Sequence, residues 1–186
     1  MKRILAAALL FAVLTAAVCA VGADNVVFEN EYYTLTLPSD WRIDLSDAGV
    51  DEDGEYEDLG FLYSREDDGL AIEAGLEYYE NMKDVSLWDM SAEELEAHVE
   101  ELLKVYEFDD AAYLDTVYAG AIPFVIIHCE DEDGEYYYAE TVTNGYVVNF
   151  YAYALDWESN YLPLRAKHLD VFRSILKSFE PVTAEE

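Results

Sequence analysis

Between Ile122 and Leu155 the chain has few folding choices. Ile122–Glu130 (IPFVIIHCE) is apolar on both faces, as a central strand covered on both sides is. Tyr136–Thr143 and Tyr146–Leu155 then flank Asn144-Gly145. Asn-Gly between two alternating runs is the strongest short hairpin signal. Three such strands in succession predict an antiparallel meander, and the rest of the chain has to pack against it.

Most of the remaining body also reads as strand. Tyr32–Leu37 places Tyr33, Leu35 and Leu37 on one face, and Pro38-Ser39-Asp40 turns the chain. Trp41, Ile43 and Leu45 alternate with Arg42 and Asp44, and Leu59–Ser64 is a further strand. After the Asp67-Asp68-Gly69 turn, Leu70–Tyr79 directs Leu70, Ile72, Ala74, Leu76 and Tyr78 one way and Glu73 and Glu77 the other. Tyr113–Tyr118 is a strand ended at Gly120. Two helices stand out. Ser91 with Glu94 makes a capping box, Met90 and Leu95 a hydrophobic staple, and Leu95, Val99, Leu102, Leu103 and Tyr106 a helical stripe. Leu164–Ser178 closes the domain, with Val171, Phe172, Ile175, Leu176 and Phe179 facing in. The expected class is α+β: an antiparallel sheet with two main helices packed on it.

The first residues follow the order of a secretory leader. Lys2 and Arg3 precede the apolar run Ile4–Val18, small residues follow, and charge returns at Asp24. The run is short for a membrane span, which needs about 20 residues. Cleavage after Ala23 is expected, leaving 24–186 as one extracytoplasmic domain. Cys19 offers a rival, a lipoprotein anchor, but lipidation normally wants a small residue where Val18 stands. The net charge of −31 repels nucleic acid and anionic membranes, both of which recruit Lys and Arg. It attracts cations and basic partners. Behind the leader only Cys129 remains, so no internal disulfide can form and the core must hold the fold by packing. In its apolar run Cys129 reads as a buried thiol rather than a nucleophile. Of the eight basic residues left after cleavage, Arg165, Lys167, Arg173 and Lys177 lie on the last helix, where they can pair with acidic loops of the same domain.

The hexapeptide DEDGEY occurs twice, at Asp51–Tyr56 and Asp131–Tyr136. Each copy joins two strands, and the flanks differ. Two acidic turns fit better than a duplicated domain, which would carry similarity well beyond six residues. As a calcium loop the second copy is incomplete. Gly134 at position 6 puts Asp131 and Asp133 at 3 and 5 and Glu140 at 12, but Cys129 at position 1. Weak calcium binding by Asp131, Asp133 and Glu135 is the most this supports; otherwise no cofactor is expected. His98, His128 and His168 lack the spacing of a helical zinc pair, and all three read as core or boundary residues. No Gly-x-Ser-x-Gly elbow and no phosphate loop is present.

Sixteen tyrosines suit half-buried sheet faces. Their functional alternative is an aromatic groove formed by Tyr136, Tyr138, Tyr151 and Tyr153. Such a groove would take a glycan or peptide, with calcium assistance at the acidic turns. A hydrolase built on two carboxylates ranks below both, because carboxylates are too numerous for any pair to be informative.

The order of motifs resembles the PsbP-like superfamily, especially its secreted and lipoprotein bacterial members of the DcrB type. Tyr33-Thr34-Leu35-Thr36-Leu37-Pro38-Ser39-Asp40-Trp41 is similar to that family's opening. Gly120-Ala121-Ile122-Pro123 is similar to its entry to the central strand, and Ser174-Ile175-Leu176-Lys177-Ser178-Phe179 to its terminal helix. The likeness runs from about residue 28 to 180. It implies an α/β/α sandwich and a non-catalytic accessory or assembly role in the envelope or outside the cell, with an unknown protein or extracellular ligand as partner. It supplies no catalytic residue.

Overall fold

The computed structural model describes residues 25–51, 56–106, 110–132, 134–156 and 158–182. The leader with Cys19, residues 52–55 of the first DEDGEY, and Asp133 lie outside the described residues.

The meander forms as its sequence requires. β7 (Ala112–Ala119), β8 (Ile122–Glu130), β9 (Glu135–Thr143) and β10 (Tyr146–Leu155) are successive antiparallel neighbours. Asn144 and Gly145 both take positive φ, 51° and 86°, as a two-residue hairpin turn requires. Pro123 fits inside a strand because β8 pairs with β9 only from Val125 onward. Its missing N–H therefore costs no ladder bond on that side.

β10 then lies antiparallel to β6 (Gly69–Tyr78) over ten residue pairs, from Tyr146 opposite Tyr78 to Leu155 opposite Gly69. β6 pairs with β5 (Tyr56–Tyr63), whose edge carries β3 (Arg42–Asp44) and β4 (Gly49–Val50). The two-residue β11 (Tyr161–Leu162) pairs with the end of β10. The sheet runs β3-β5-β6-β10-β9-β8-β7. Asp51 N–H donates to the Tyr56 carbonyl and Asp131 N–H to the Gly134 carbonyl, and each DEDGEY lies between two strands that pair with each other, β4 with β5 and β8 with β9.

Strand alternation sends two sets of side chains to opposite faces. One face buries Leu70, Ile72, Ala74, Phe124, Ile126, Ala139, Phe150 and Ala152. α2 (Ala166–Lys177) covers it with Phe172, Ile175 and Leu176. β1 (Asn25–Glu29), β2 (Tyr33–Pro38) and β12 (Glu180–Pro181) form a small second sheet in the same layer. Tyr33, Leu35 and Leu37 of β2 are fully buried there, on the face their alternation predicts. The other face buries Val125, Ile127, Cys129, Tyr136, Tyr138, Val142 and Val147 beneath α1 (Ala92–Val105). The predicted capping box is present: Ser91 Oγ accepts from Glu94 N–H, and the Glu94 carboxylate accepts from Ser91 N–H.

The architecture is therefore the expected α+β sandwich with one layer altered. A small sheet shares the α2 layer. β1 and β12 are short and carry little periodicity of their own, and only pairing with β2 makes them strands. α2 starts two residues later than expected, because Arg165 is held in extended backbone as its N-cap. Leu164 N–H donates to Glu135, and Arg165 N–H to the ring of His168. Phe179 lies beyond the end of the helix but still packs into the core.

Candidate functional site

The α1 face of the large sheet carries the functional candidates, and strand register sets them in rows. Phe61, Glu73, Tyr151 and Tyr138 lie opposite one another across β5, β6, β10 and β9. Tyr63, Ala71 and Tyr153 form the neighbouring row. Asp58, Gly75, Asn149 and Glu140 form another, and Tyr56, Glu77, Val147 and Val142 the next. Across β6, rings thus flank Glu73 on both sides and Glu77 on the β5 side.

α1 closes the β7–β9 end of this face. Tyr106 packs on Tyr138 with ring centroids 4.8 Å apart, and its hydroxyl lies 3.0 Å from that of Tyr151. His98 Nε2 of α1 meets Glu140 Oε1 at 2.7 Å, and Tyr138 donates to Glu140 Oε2 at 2.7 Å. This trio pins the helix to the sheet. Burial and the adjacent carboxylate push the Tyr138 phenol well above its ordinary value, so it remains a donor.

Beyond Tyr151 the face opens. Tyr151, Tyr153, Phe61, Tyr63, Tyr56, Asp58 and Glu77 are half-buried, and Glu73 and Tyr161 are exposed. Phe61 stacks on Tyr63 at 5.6 Å, and Tyr153 meets Tyr161 edge-on at 5.3 Å. The Glu73 carboxyl is raised above the ordinary carboxylate range, first by loss of water among these rings and then by the charge of Asp58. Glu77 accepts from Asn149 Nδ2 at 2.6 Å and from the Tyr79 hydroxyl. A concavity of about 650 Å³ adjoins the open face where Phe61, Tyr63, Ala71 and Leu155 meet Arg42, Asp44 and Ser159.

The four tyrosines singled out in the sequence do share this face, but in two environments. Tyr136 and Tyr138 are buried under α1 as part of its core. Tyr151 and Tyr153 stand at the boundary between the covered and the open parts. The open part adds Phe61, Tyr63, Asp58 and Glu73, which periodicity alone did not connect with the tyrosines, because register between β5, β6 and β10 is set by tertiary pairing. The position of Glu73 and Glu77 opposite the apolar side of β6 was the one available signal.

At the second acidic turn, Asp131 Oδ1 accepts from Gly134 N–H at 3.0 Å. Glu135 accepts from Leu164 N–H and lies 3.6 Å from His128 Nε2. Both carboxylates therefore have structural work in the turn. Asp133, the third candidate ligand, lies outside the described residues. Among the described residues no group of three or more His, Cys, Asp or Glu is arranged to hold a metal. None of the described helices is long and apolar enough to cross a membrane.

Three of the four cations at the last helix pair with the domain's own acids. Asp68 takes Arg165 at 2.6 Å and Lys167 at 2.9 Å, and Arg173 meets Asp115 at 2.9 Å.

These features define an α+β sandwich with one sheet face partly covered. No family model matches the chain, and no curated protein matches it. Among solved structures it is similar to the solution structure of cyanobacterial PsbP (CyanoP) from Synechocystis sp. PCC 6803. The match covers 88% of this chain and 96% of that one, at 14% identity and a TM-score of 0.47.

Proposed function

We propose that the chain is an extracytoplasmic, non-catalytic domain that binds a partner protein through the open aromatic and acidic face of its large sheet. One observation carries this reading. Phe61, Tyr63, Tyr151 and Tyr153 surround Glu73 on a face that α1 covers only at its β7–β9 end, and aromatic residues with one wet edge are the usual anchors of protein interfaces. The leader-like order of Lys2, Arg3 and Ile4–Val18 supports secretion. The motif order that resembles secreted PsbP-like proteins of the DcrB type supports an accessory role.

The test is site-specific photo-crosslinking. A benzophenone amino acid replaces Tyr161, at the border of the open face, or Ser174, on the exposed side of α2. Discrete adducts with envelope or secreted proteins at position 161 alone are the expected result. Adducts at both positions, or at neither, would overturn the reading. Sequencing the mature N-terminus distinguishes cleavage before Asp24 from a lipidated Cys19.

The concavity beside Phe61 and Tyr63 supports a second reading, an extracellular glycan or peptide ligand stacked on those rings, with weak calcium assistance from Asp131, Asp133 and Glu135. Saturation of that concavity by oligosaccharides, without any protein adduct at position 161, would favour it.

A further inference from the structure

Resting on the partner-binding reading, we propose that the open face accepts an extended, arginine-bearing segment of the partner, with a guanidinium seated on Glu73 between the rings of Phe61 and Tyr151. The register supplies the geometry. Phe61 and Tyr151 lie directly opposite Glu73 on its two neighbouring strands, about 5 Å away on either side. A cation on the Glu73 carboxylate would therefore sit within cation–π range of both rings. Asp44, opposite Phe61, and Asp58, opposite Gly75, extend the acidic rows on the same face.

The hydrogen bonds these carboxylates take within the domain come from neutral donors: Ser46 N–H to Asp44, Gly60 N–H to Asp58, and Asn149 and Tyr79 to Glu77. Among the described residues, no Lys or Arg lies within ion-pair distance of Asp44, Asp58, Glu73 or Glu77. Arg165, Lys167 and Arg173 are engaged with Asp68, Asp115 and Asp170, and Lys83 and Lys104 with Glu80 and Glu101. The Glu73 carboxyl is raised first by loss of water and then by the charge of Asp58, with a hydrogen bond from Tyr153 offsetting part of the rise. A second feature points to a donor. Asn149 is fully buried and its Oδ1 has no hydrogen-bond partner. That oxygen lies over Gly75, 2.5 Å from where a Cβ would stand, in the same row as Asp58. A surface of rings and carboxylates, with an unused acceptor beneath it, needs donors that are also cationic and flat. Arginine meets all three needs, whereas lysine is a compact, strongly hydrated point charge. An uncharged sugar would leave the acids without a counter-charge.

The experiment uses three synthetic octapeptides of alternating sequence, Arg-Thr, Lys-Thr and Glu-Thr, titrated calorimetrically against the protein and its variants. The Arg-Thr peptide is expected to bind, more tightly than Lys-Thr, with affinity falling as salt rises, and Glu-Thr is expected not to bind. Glu73→Gln and Phe61→Ala should each weaken Arg-Thr binding by about tenfold, the loss of one charge-assisted contact. Glu100→Gln, on the exposed side of α1, should change it by less than about twofold. Circular dichroism checks that each variant is folded, and Glu73→Ala, which also removes the charge, replaces Glu73→Gln if that variant is not. Equal losses at Glu73 and Glu100, equal binding of the Arg and Lys peptides, or no Arg-Thr binding would each overturn the inference. A partner adduct at position 161 that forms equally well in Glu73→Gln would overturn it too, while leaving the partner-binding reading intact.

Discussion

The contact between His98 and Glu140 joins residues that sequence places far apart. His98 lies beside the apolar stripe of α1 and reads as a boundary residue. Its partner is found only when β9 passes beneath. With the His98 side chain 13% exposed and that of Glu140 6%, removing one group strands the other. His98→Ala is expected to destabilise the domain by about 2 kcal/mol, as loss of a hydrogen bond to a charged group does, measured by urea unfolding. The double variant His98→Leu with Glu140→Leu should cost less than the sum of the single leucine replacements, because each single variant strands its partner in the pair, whereas the double variant leaves only the Tyr138 hydroxyl without its acceptor. Gly75 is a second point where a residue type follows from close approach. An added Cβ would meet Asn149 Oδ1 at 2.5 Å and the Tyr56 hydroxyl at 2.6 Å. Gly75→Ala is expected to cost about 1–3 kcal/mol by overpacking and to shift the aromatic NMR signals of Tyr56.

At the scale of elements, the start of α2 shows a histidine working as a cap. His168 Nδ1 accepts from Arg165 N–H at 3.1 Å, which leaves Nε2–H to face the Asp68 carbonyl at 3.2 Å. This arrangement needs neutral imidazole, and burial holds the ring below its ordinary range despite the pull of Asp68. In the unfolded chain the same ring takes up a proton below about pH 6.5. The unfolded state then binds more protons, so stability is full above that pH and falls as pH drops toward the native value. Denaturation midpoints should decline between pH 7 and 5, and His168→Gln should flatten the decline, since glutamine can cap from the same position. The elements themselves were largely legible. Capping at Ser91, alternation in Tyr33–Leu37 and the Asn144-Gly145 turn are local signals, and local chemistry decides them. β1, β12 and the late start of α2 were not, because partners distant in sequence create them. The candidate site was half legible for the same reason: the tyrosines of β9 and β10 announce themselves, whereas their alignment with Phe61 and Glu73 is a matter of register.

For the molecule as a whole, the net charge of −31 opposes compaction through self-repulsion that salt screens. Raising sodium chloride from 0.05 to 0.5 M is expected to increase the melting temperature by roughly 3 °C, what about 1 kcal/mol gives in a domain of this size. At matched ionic strength calcium and magnesium should act alike; a rise specific to calcium that Asp131→Asn abolishes would assign a site to the second acidic turn. The margins of the large sheet bear on a different property. One outermost strand, β3, is only three residues long and carries Arg42 and Asp44. The other, β7, is eight residues long, but its register with β8 shifts between Tyr113 and Asp115, leaving Leu114 as an extra residue. A kinked border is a poor template for a neighbouring molecule's backbone. Deleting Leu114 would straighten that border, with Tyr113 and Tyr118 still exposed along it. The expected outcome is concentration-dependent assembly into thioflavin-positive fibrils, seen by light scattering, where the parent protein stays monodisperse. One surplus leucine would then separate a domain that stays monomeric from one that polymerises.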